Sequence, residues 1–589
     1  MYPLGIVGNC NVSAFVSLQG SVDWLCMPRP DSPPIFGGLI DSDGGKFEIT
    51  PVGKYESTQF YMENTNILVT EFRLQDGGRF RIVDFCPRFH QFGRIFRPQA
   101  LYRIVEPVEG TSRIRVNFNP INGWSKQTPH RSQGNSHLRY KMSEGVLRLS
   151  TNAPITYVNE QAPFHLDKPL VFTLTWDDSI RDDLLSNAYT QLTKTRLYWE
   201  QWVRHCNIPF LFQKEVIRSA LALKLNCFED TGAILAALST SLPEIVGSER
   251  NWDYRFCWLR DAYFFLSAFR NIGHFEEMLG FMNFLLDLVY TADSERLGPV
   301  YSLDLKKPLP EYIHDNWTGY QGSSPVRSNN QAGEHVQNDI YGELLLTLAP
   351  IYYDERFIDL RTSEHSHVIS RLIGLAIDSV GQVDAGLWEL RNQSLEHTFT
   401  NLMSWAGLNR FRVCAEQSRI QLELNKITQA EELALDRLAK SQHEGVLTNS
   451  PNDSTFDASL LLATVLRYPN DQTNRKTVDK VIERLGNPQT KGFEYLLYRY
   501  RRADDFGTPK HPFVACSFWL AEALSALGEH KRANIAFEQA LSTANHVGLF
   551  SEHFDIHTKT QTGNFAQAYS HAALINAAFR LSPPWSHIL

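Results

Sequence analysis

Three segments of this chain bring acids, arginines and tryptophans closer together than a packed core requires. The first, Glu249-Arg250-Asn251-Trp252-Asp253-Tyr254-Arg255-Phe256-Cys257-Trp258-Leu259-Arg260-Asp261, holds six charged residues and four aromatics. Arginine presents a planar fork of donors and aspartate two acceptors, so adjacent Arg260 and Asp261 at a helix start suit neighbouring sugar hydroxyls. The same residues would also serve as a salt-bridge network at a domain seam. In the second segment, Asp384-Ala385-Gly386-Leu387-Trp388-Glu389-Leu390-Arg391, an acid follows a tryptophan in apolar surroundings. Desolvation there would raise the Glu389 carboxyl toward the range of a general acid. The alternative is a surface glutamate paired with Arg391. In the third, Gly548 to Asp555 followed by Gly563 to His571, a loop carrying Glu552 runs into the last helical pattern. Its polar residues could hold an attacking water, although acidic loops are common.

The elements that must position these groups divide the chain in two. Ile67 to Leu74 and Phe80 to Phe85 are strand-like runs around Gln75-Asp76-Gly77-Gly78-Arg79, a hairpin signal. Arg113 to Phe118 alternates, and Leu170, Phe172, Leu174 and Trp176 share one face. From Asp182 onward the period is helical. Val336, Ile340, Tyr341, Leu344, Leu345 and Leu348 make one apolar stripe, and nine comparable stretches lie in Glu215–Cys227, Ala262–Arg270, Glu276–Tyr290, Thr398–Arg410, Gln429–Lys440, Ser454–Leu466, Val514–Leu527, Lys531–Ala544 and Ala566–Phe579. Room remains for one or two more. Strands first and helices afterwards predict segregated domains: an antiparallel β-sandwich over 1–181, a helical linker over 182–207 and a closed helical array over 208–589.

Composition narrows the function classes. The 589 residues are 43% hydrophobic and 12% aromatic, which excludes a disordered or fibrous chain. A net charge of −8 has the wrong sign for a nucleic-acid partner. No basic leader and no run of roughly 18 apolar residues occurs, so a soluble cytoplasmic protein without membrane contact is expected. The eight cysteines are dispersed, with no metal-ligand spacing, so reduced structural thiols are expected and no metal or cofactor. Phosphate-loop, His-Glu-x-x-His and Gly-x-Ser-x-Gly signatures are missing. Twelve tryptophans provide flat apolar faces of the kind that suit a core or a sugar ring.

Taken in series, these segments resemble glycoside hydrolase family 15, the glucoamylase-like inverting α-glucosidases with a trehalase branch. Gln19-Gly20-Ser21-Val22-Asp23-Trp24-Leu25-Cys26 is similar to the family's Asp-Gly-Ser-Ile-Asp-Trp-Leu-Cys element. Thr240 to Glu244, Arg250 to Arg255, Cys257 to Ala262, Gly319-Tyr320-Gln321-Gly322-Ser323-Ser324-Pro325-Val326-Arg327, Gly386 to Glu389 and Ser551-Glu552 follow in the family's order. The resemblance implies a β-sandwich, a helical linker and an (α/α)6 barrel. It places Glu389 as general acid, protonated, and Glu552 as general base, ionised. Arg260 and Asp261 match the pair that binds the terminal glucose, and Tyr254 an aromatic beside the anomeric centre. Trp317 and Trp388 would wall the sugar subsites, and Arg499 or equally Arg501 would be the late substrate-binding arginine. Two departures occur: His553 replaces the second acid of the usual Ser-Glu-Glu, and Asn338 interrupts Gln-Leu-Asp-Val-Tyr-Gly-Glu.

The activity so implied is inverting release of glucose from the non-reducing ends of α-glucans or short glucooligosaccharides, with an α,α-trehalase as the alternative. A homodimer through the sandwich domains is compatible with it. A phosphorylase of related design would not need Glu552. A non-catalytic sugar sensor would tolerate loss of an acid or base, and here both glutamates stand.

Overall fold

In the computed structural model the described residues are 1–180, 182–291, 296–305 and 310–588. Two antiparallel sheets form the N-terminal part. One orders its strands Leu4–Gly8, Ser13–Ser17, Ser21–Cys26, Lys46–Pro51, Ser112–Asn119 and Phe164–Leu166, with Pro34–Phe36 paired to Ser21–Cys26. The other runs His130–Gln133, His137–Lys141, Val146–Thr151, Leu170–Trp176, Ala100–Glu109, Arg79–Phe85, Leu68–Leu74 and Tyr55–Tyr61. Alternation drives their inner faces together. Phe47 of the first sheet meets Phe172 of the second at 6.0 Å, edge to face. Arg103, fully buried, is held by Asp84 of its own sheet and donates to the carbonyls of Phe47 and Gly20 on the other. The predicted turn forms, with Gly77 at φ 96°.

The helix Leu184–Arg204 starts at Asp183, whose carboxylate accepts from the Ser186 amide. It packs Ala188, Leu185, Tyr189 and Leu192 onto the outer face of the second sheet, against Val69, Val83 and Tyr102.

Six inner helices then close a ring: Ala262–Ile272, Asp339–Tyr353, Thr398–Glu416, the short turn and helix from Ala458 to Val465, Val514–Ala526 and Ala568–Leu581. Each is preceded in the chain by an outer helix, in order Gln213–Leu225, Glu276–Thr291, Ser363–Ser379, Leu424–Lys440, Asp471–Leu485 and His530–Leu541. This is the (α/α)6 barrel. Inner helices are buried on nearly every side. In Val514–Ala526 only Ala526 is not buried.

Two outer helices lie beyond the ten stretches read from periodicity. Ser363–Ser379 buries Val368, Ile369, Leu372 and Ile373, a face that the helical period could have found. Asp471–Leu485 buries Thr473, Asn474 and Thr477 at its start, and polar residues on an inward face do not register in an apolar count. The stripe expected from Val336 begins only at Asp339, and Val336 is exposed. The expected helix Ser454–Leu466 is reduced to a 3₁₀ turn and one α turn. All eight cysteines are free and all but Cys206 are buried. Among the described residues no helix is long and apolar enough to cross a membrane.

The sandwich braces the loops that carry the chemistry. Trp24 donates from its indole to the Leu238 carbonyl at 3.0 Å, and Arg255 donates to the Ser32 carbonyl at 2.7 Å. Tyr2 donates to the Gly563 carbonyl and packs edge-on against Phe565, propping the hairpin Ser551–Asp555/Thr560–Phe565.

Candidate active site

Loops at one mouth of the barrel bring all three chemical segments together. The acid-bearing loop joins Ser363–Ser379 to Thr398–Glu416 and is fastened by Asp384, which accepts from the amides of Asn338 and Gly386 and from the Thr400 hydroxyl. Glu389 itself sits at φ 61°, a conformation uncommon outside glycine and characteristic of functional loops. Glu552 lies on the hairpin strand Ser551–Asp555. Opposite it, Gly563 adopts φ +77°, and a Cβ there would come within 2.7 Å of Glu552 Oε2. Only glycine therefore fits beside this carboxylate.

Two adjoining compartments share Tyr254, Trp388, Glu389 and Arg499. The inner, with about 490 Å³ of open space, also has Trp258, Arg260, Asp261, Glu552, Gln567 and Tyr569 in its wall. The outer, about 510 Å³, has Glu244, Arg250, Trp252, His335, Arg391, Tyr500, Asp504, Asp505 and Phe506. Glu389 and Glu552 thus face one cavity, although they come from different ends of the barrel sequence.

Glu389 is held by two donors on one oxygen, the Trp258 indole at 2.6 Å and Arg260 Nη1 at 3.1 Å. Arg260 also donates to the Leu387 carbonyl at 2.8 Å, to Gln337 and to Asp261. Burial alone would raise the Glu389 carboxyl. Arg260, His335 and the Trp258 hydrogen bond outweigh it and hold the group below the ordinary carboxylate range. The resemblance implied a protonated acid at work; in the sugar-free protein the Arg260 guanidinium lying against Glu389 favours its ionised form. Asp261 behaves oppositely. Burial, with Glu389 and Glu552 as neighbouring negative charges, pushes it up to about 6 despite its pairing with Arg260.

Glu552 is buried, and its Oε1 accepts from the Tyr254 hydroxyl at 2.8 Å. His553 Nδ1 stands 3.4 Å from its other oxygen. Arg499 pairs with Glu244, Nη1 to Oε1 at 3.0 Å, and lies over the Trp388 ring face at 5.9 Å. Trp388 is itself fixed by donation to Asp457 at 2.7 Å. Among the described residues, Glu244, Glu552 and His553 bring ligand-type atoms within 4.8 Å of one another. Arg250 and Arg499 already supply positive charge to Glu244, and Tyr254 already donates to Glu552, so these carboxylates have partners in place of a cation.

Of the residues expected from sequence, Glu389, Glu552, Tyr254, Arg260, Asp261, Trp388 and Arg499 meet around the cavity. Arg501 does not: it donates to the Gly486 carbonyl and stacks over Tyr498, away from both compartments. Trp317 is also placed elsewhere. Its indole is buried at the seam between sandwich and barrel, against Gly37, with Nε1 donating to the Trp124 carbonyl at 2.9 Å. It is a domain-packing residue and lines neither compartment. Trp258, Gln567 and Tyr569 were not singled out from sequence although all three lie within the quoted segments. Trp252 lies in the first of those segments too, and nothing local marks Phe506 as a cavity residue.

The arrangement can do one kind of chemistry well. The Arg260–Asp261 pair lines the inner space, one carboxyl stands where the two spaces meet, and a second carboxylate is oriented by a phenol inside the inner space. That is the equipment for cleaving a glycosidic bond between the compartments with an activated water.

Comparison with known proteins agrees. Residues 212–579 match the family model for glycosyl hydrolases family 15, and residues 3–167 match the trehalase-like N-terminal model. The trehalase of Mycolicibacterium smegmatis is 31% identical over 97% of this chain and 90% of its own length. The trehalase of Thermoplasma volcanium is 29% identical over 98% and 93%. A bacterial glucoamylase solved with acarbose covers 98% of this chain and 94% of its own at TM-score 0.70 and 14% identity, a likeness of fold. The chain is therefore a member of glycosyl hydrolases family 15.

Proposed function

We propose that this enzyme is an α,α-trehalase that hydrolyses its substrate with inversion. The observation that carries the reading is the near-full-length likeness to trehalases from bacteria and archaea. It favours trehalose over the α-glucans that the catalytic motifs by themselves suggested. Two adjoining compartments that meet at Glu389 suit a substrate of two sugar rings with the scissile bond between them.

One glucose would enter the inner compartment and take hydrogen bonds from Arg260 and to Asp261. Because Arg260 then shares its donors with the sugar, its hold on Glu389 weakens. Glu389 takes up the proton that it delivers to the glycosidic oxygen. Glu552, oriented by Tyr254, removes a proton from water, whose oxygen forms the new bond to C1 of the inner glucose as the C1–O bond to the outer glucose breaks. The inner glucose leaves as the β anomer. The outer glucose keeps its own oxygen and leaves as α.

The test is glucose release from trehalose, maltose, isomaltose and maltooligosaccharides, with anomers followed by proton NMR before mutarotation. Trehalose as best substrate with equal initial α- and β-glucose is expected. Preference for any oligoglucan would return the reading to a glucoamylase-type enzyme, and α-glucose alone would exclude inversion. Glu389→Gln and Glu552→Gln should each lower turnover about 10²- to 10⁴-fold with little change in melting temperature.

A further inference from the structure

The outer compartment ends against a stack of three side chains from three separate loops. The Phe506 ring meets Trp252 edge to face at 5.3 Å, and the Arg391 guanidinium lies over Phe506 at 5.2 Å and over Trp252 at 6.0 Å. The strap that carries Phe506 is pinned on two sides. Asp504 takes both terminal nitrogens of Arg250, at 2.7 and 2.8 Å, together with the Tyr500 hydroxyl at 2.6 Å and the Phe506 amide. Asp505 accepts from the Arg391 amide at 2.6 Å and from the Asn392 side chain at 2.9 Å, tying the strap to the loop that carries Glu389.

Such a tether costs ordering entropy on a partly exposed turn, and the hydrophobic core does not need it. Its consequence is steric. Arg260, Asp261 and Tyr569 line the inner compartment and Phe506 and Arg391 the outer one, so a longer saccharide whose terminal ring is gripped by Arg260 and Asp261 would extend outward past Phe506 and Arg391. Residues of the outer compartment's wall also keep buried polar atoms without hydrogen-bond partners, Trp252 Nε1, Arg499 Nε and His335 Nδ1.

The geometry points to a cap: Trp252, Arg391 and Phe506, held by Asp504 and Asp505, close the outer compartment after a single sugar ring and so restrict the enzyme to disaccharides. This deepens the trehalase reading and rests on it for the identity of the disaccharide, but the length limit is independent of linkage.

The experiment compares the wild type with Phe506→Ala and Asp505→Ala, changes that leave Glu389 and Glu552 in place. kcat/KM is measured on trehalose, maltose and maltotriose, together with inhibition of hydrolysis by maltose and maltotriose, and each variant's melting temperature is recorded. The cap predicts that the wild type handles the trisaccharide far worse than either disaccharide. Both variants should raise acceptance of maltotriose relative to the disaccharides by about tenfold or more, the scale of discrimination that one packing contact supplies. Folded variants with unchanged trisaccharide-to-disaccharide ratios, in both turnover and inhibition, would overturn it, as would a wild type that accepts maltotriose as readily as a disaccharide. A wild type inactive on trehalose but active on maltose would sink the trehalase reading alone. The maltotriose-to-maltose ratio would still decide the cap.

Discussion

Replacing Trp258 by Phe isolates the feature that most distinguishes this site from its expectation, the lowered pKa of the Glu389 carboxyl. The Trp258 indole donates to Glu389 Oε1 at 2.6 Å, and Arg260 adds a second donor to the same oxygen. A hydrogen bond to a charged group contributes about 1.5 to 3 kcal/mol, and one pKa unit corresponds to about 1.4 kcal/mol. The sign follows directly. The indole stabilises the ionised form, so its loss raises the carboxyl's pKa and leaves more of the acid protonated at any given pH. The limb of the kcat/KM profile that belongs to Glu389 should therefore move upward by about one pH unit in Trp258→Phe. That limb can be identified because α-glucosyl fluoride, whose leaving group needs no proton, does not require the acid. A limb seen with trehalose and lost with the fluoride is that of Glu389. The height of the profile will fall as well, since the indole also orients the carboxyl, so the readout is the position of the limb. A limb that stays in place, or moves down, would refute the claim that Trp258 helps hold Glu389 ionised in the free enzyme.

Other perturbations test neighbouring parts of the argument. Tyr254→Phe deletes the 2.8 Å hydrogen bond to Glu552 and should lower kcat/KM by roughly ten- to a hundredfold. Wild-type rates in steady-state assays would remove Tyr254 from the orienting role. Glu343 on the inner helix Asp339–Tyr353 is fully buried with neither oxygen hydrogen-bonded, and burial, with Asp339 beside it, raises its pKa well above the usual value. Burial therefore favours its protonated form in the fold, whereas in the unfolded chain it ionises near pH 4.3. Native protein therefore binds more protons above that pH, and this group's contribution to stability declines as pH rises. Glu343→Gln, a neutral isostere, should flatten that decline. Denaturant midpoints that fall equally steeply from pH 5 to 8 in wild type and variant would show the group is charged. Trp317→Ala should lower stability by about 3 to 5 kcal/mol in chemical denaturation with KM unchanged. A raised KM at unaltered stability would put Trp317 back among the sugar contacts.

Strand-to-helix order and ten of the barrel's helical stretches were legible because each is written in neighbouring residues, whereas the two carboxylate segments stood out only with the family's motifs in series. A strand shows its period over about six positions and a helix over about twelve. Segments such as Arg260-Asp261 or Trp388-Glu389 show their chemistry by type. The fate of the aromatics was not legible in this way. Trp317 and Trp388 look alike in sequence, yet one faces Gly37 at the domain seam and the other the catalytic cavity. Likewise Arg499 and Arg501 are two positions apart on an irregular segment, and only the first reaches the site. Phe506 and Asp505 carry no local mark at all.

By itself, then, the amino-acid order determined the passage from strands to helices, since periodicity is a property of adjacent positions, while Glu389 and Glu552 stood out from other acids only through the resemblance to a family. Tertiary structure decided which groups favour the ionised form of Glu389, the raised pKa of Asp261 and which side chains line the outer compartment. Each of these depends on Coulomb fields, desolvation and steric walls set by groups far away in the chain. Arg260, Trp258 and Phe506 act on Glu389 and its surroundings only after the barrel has closed.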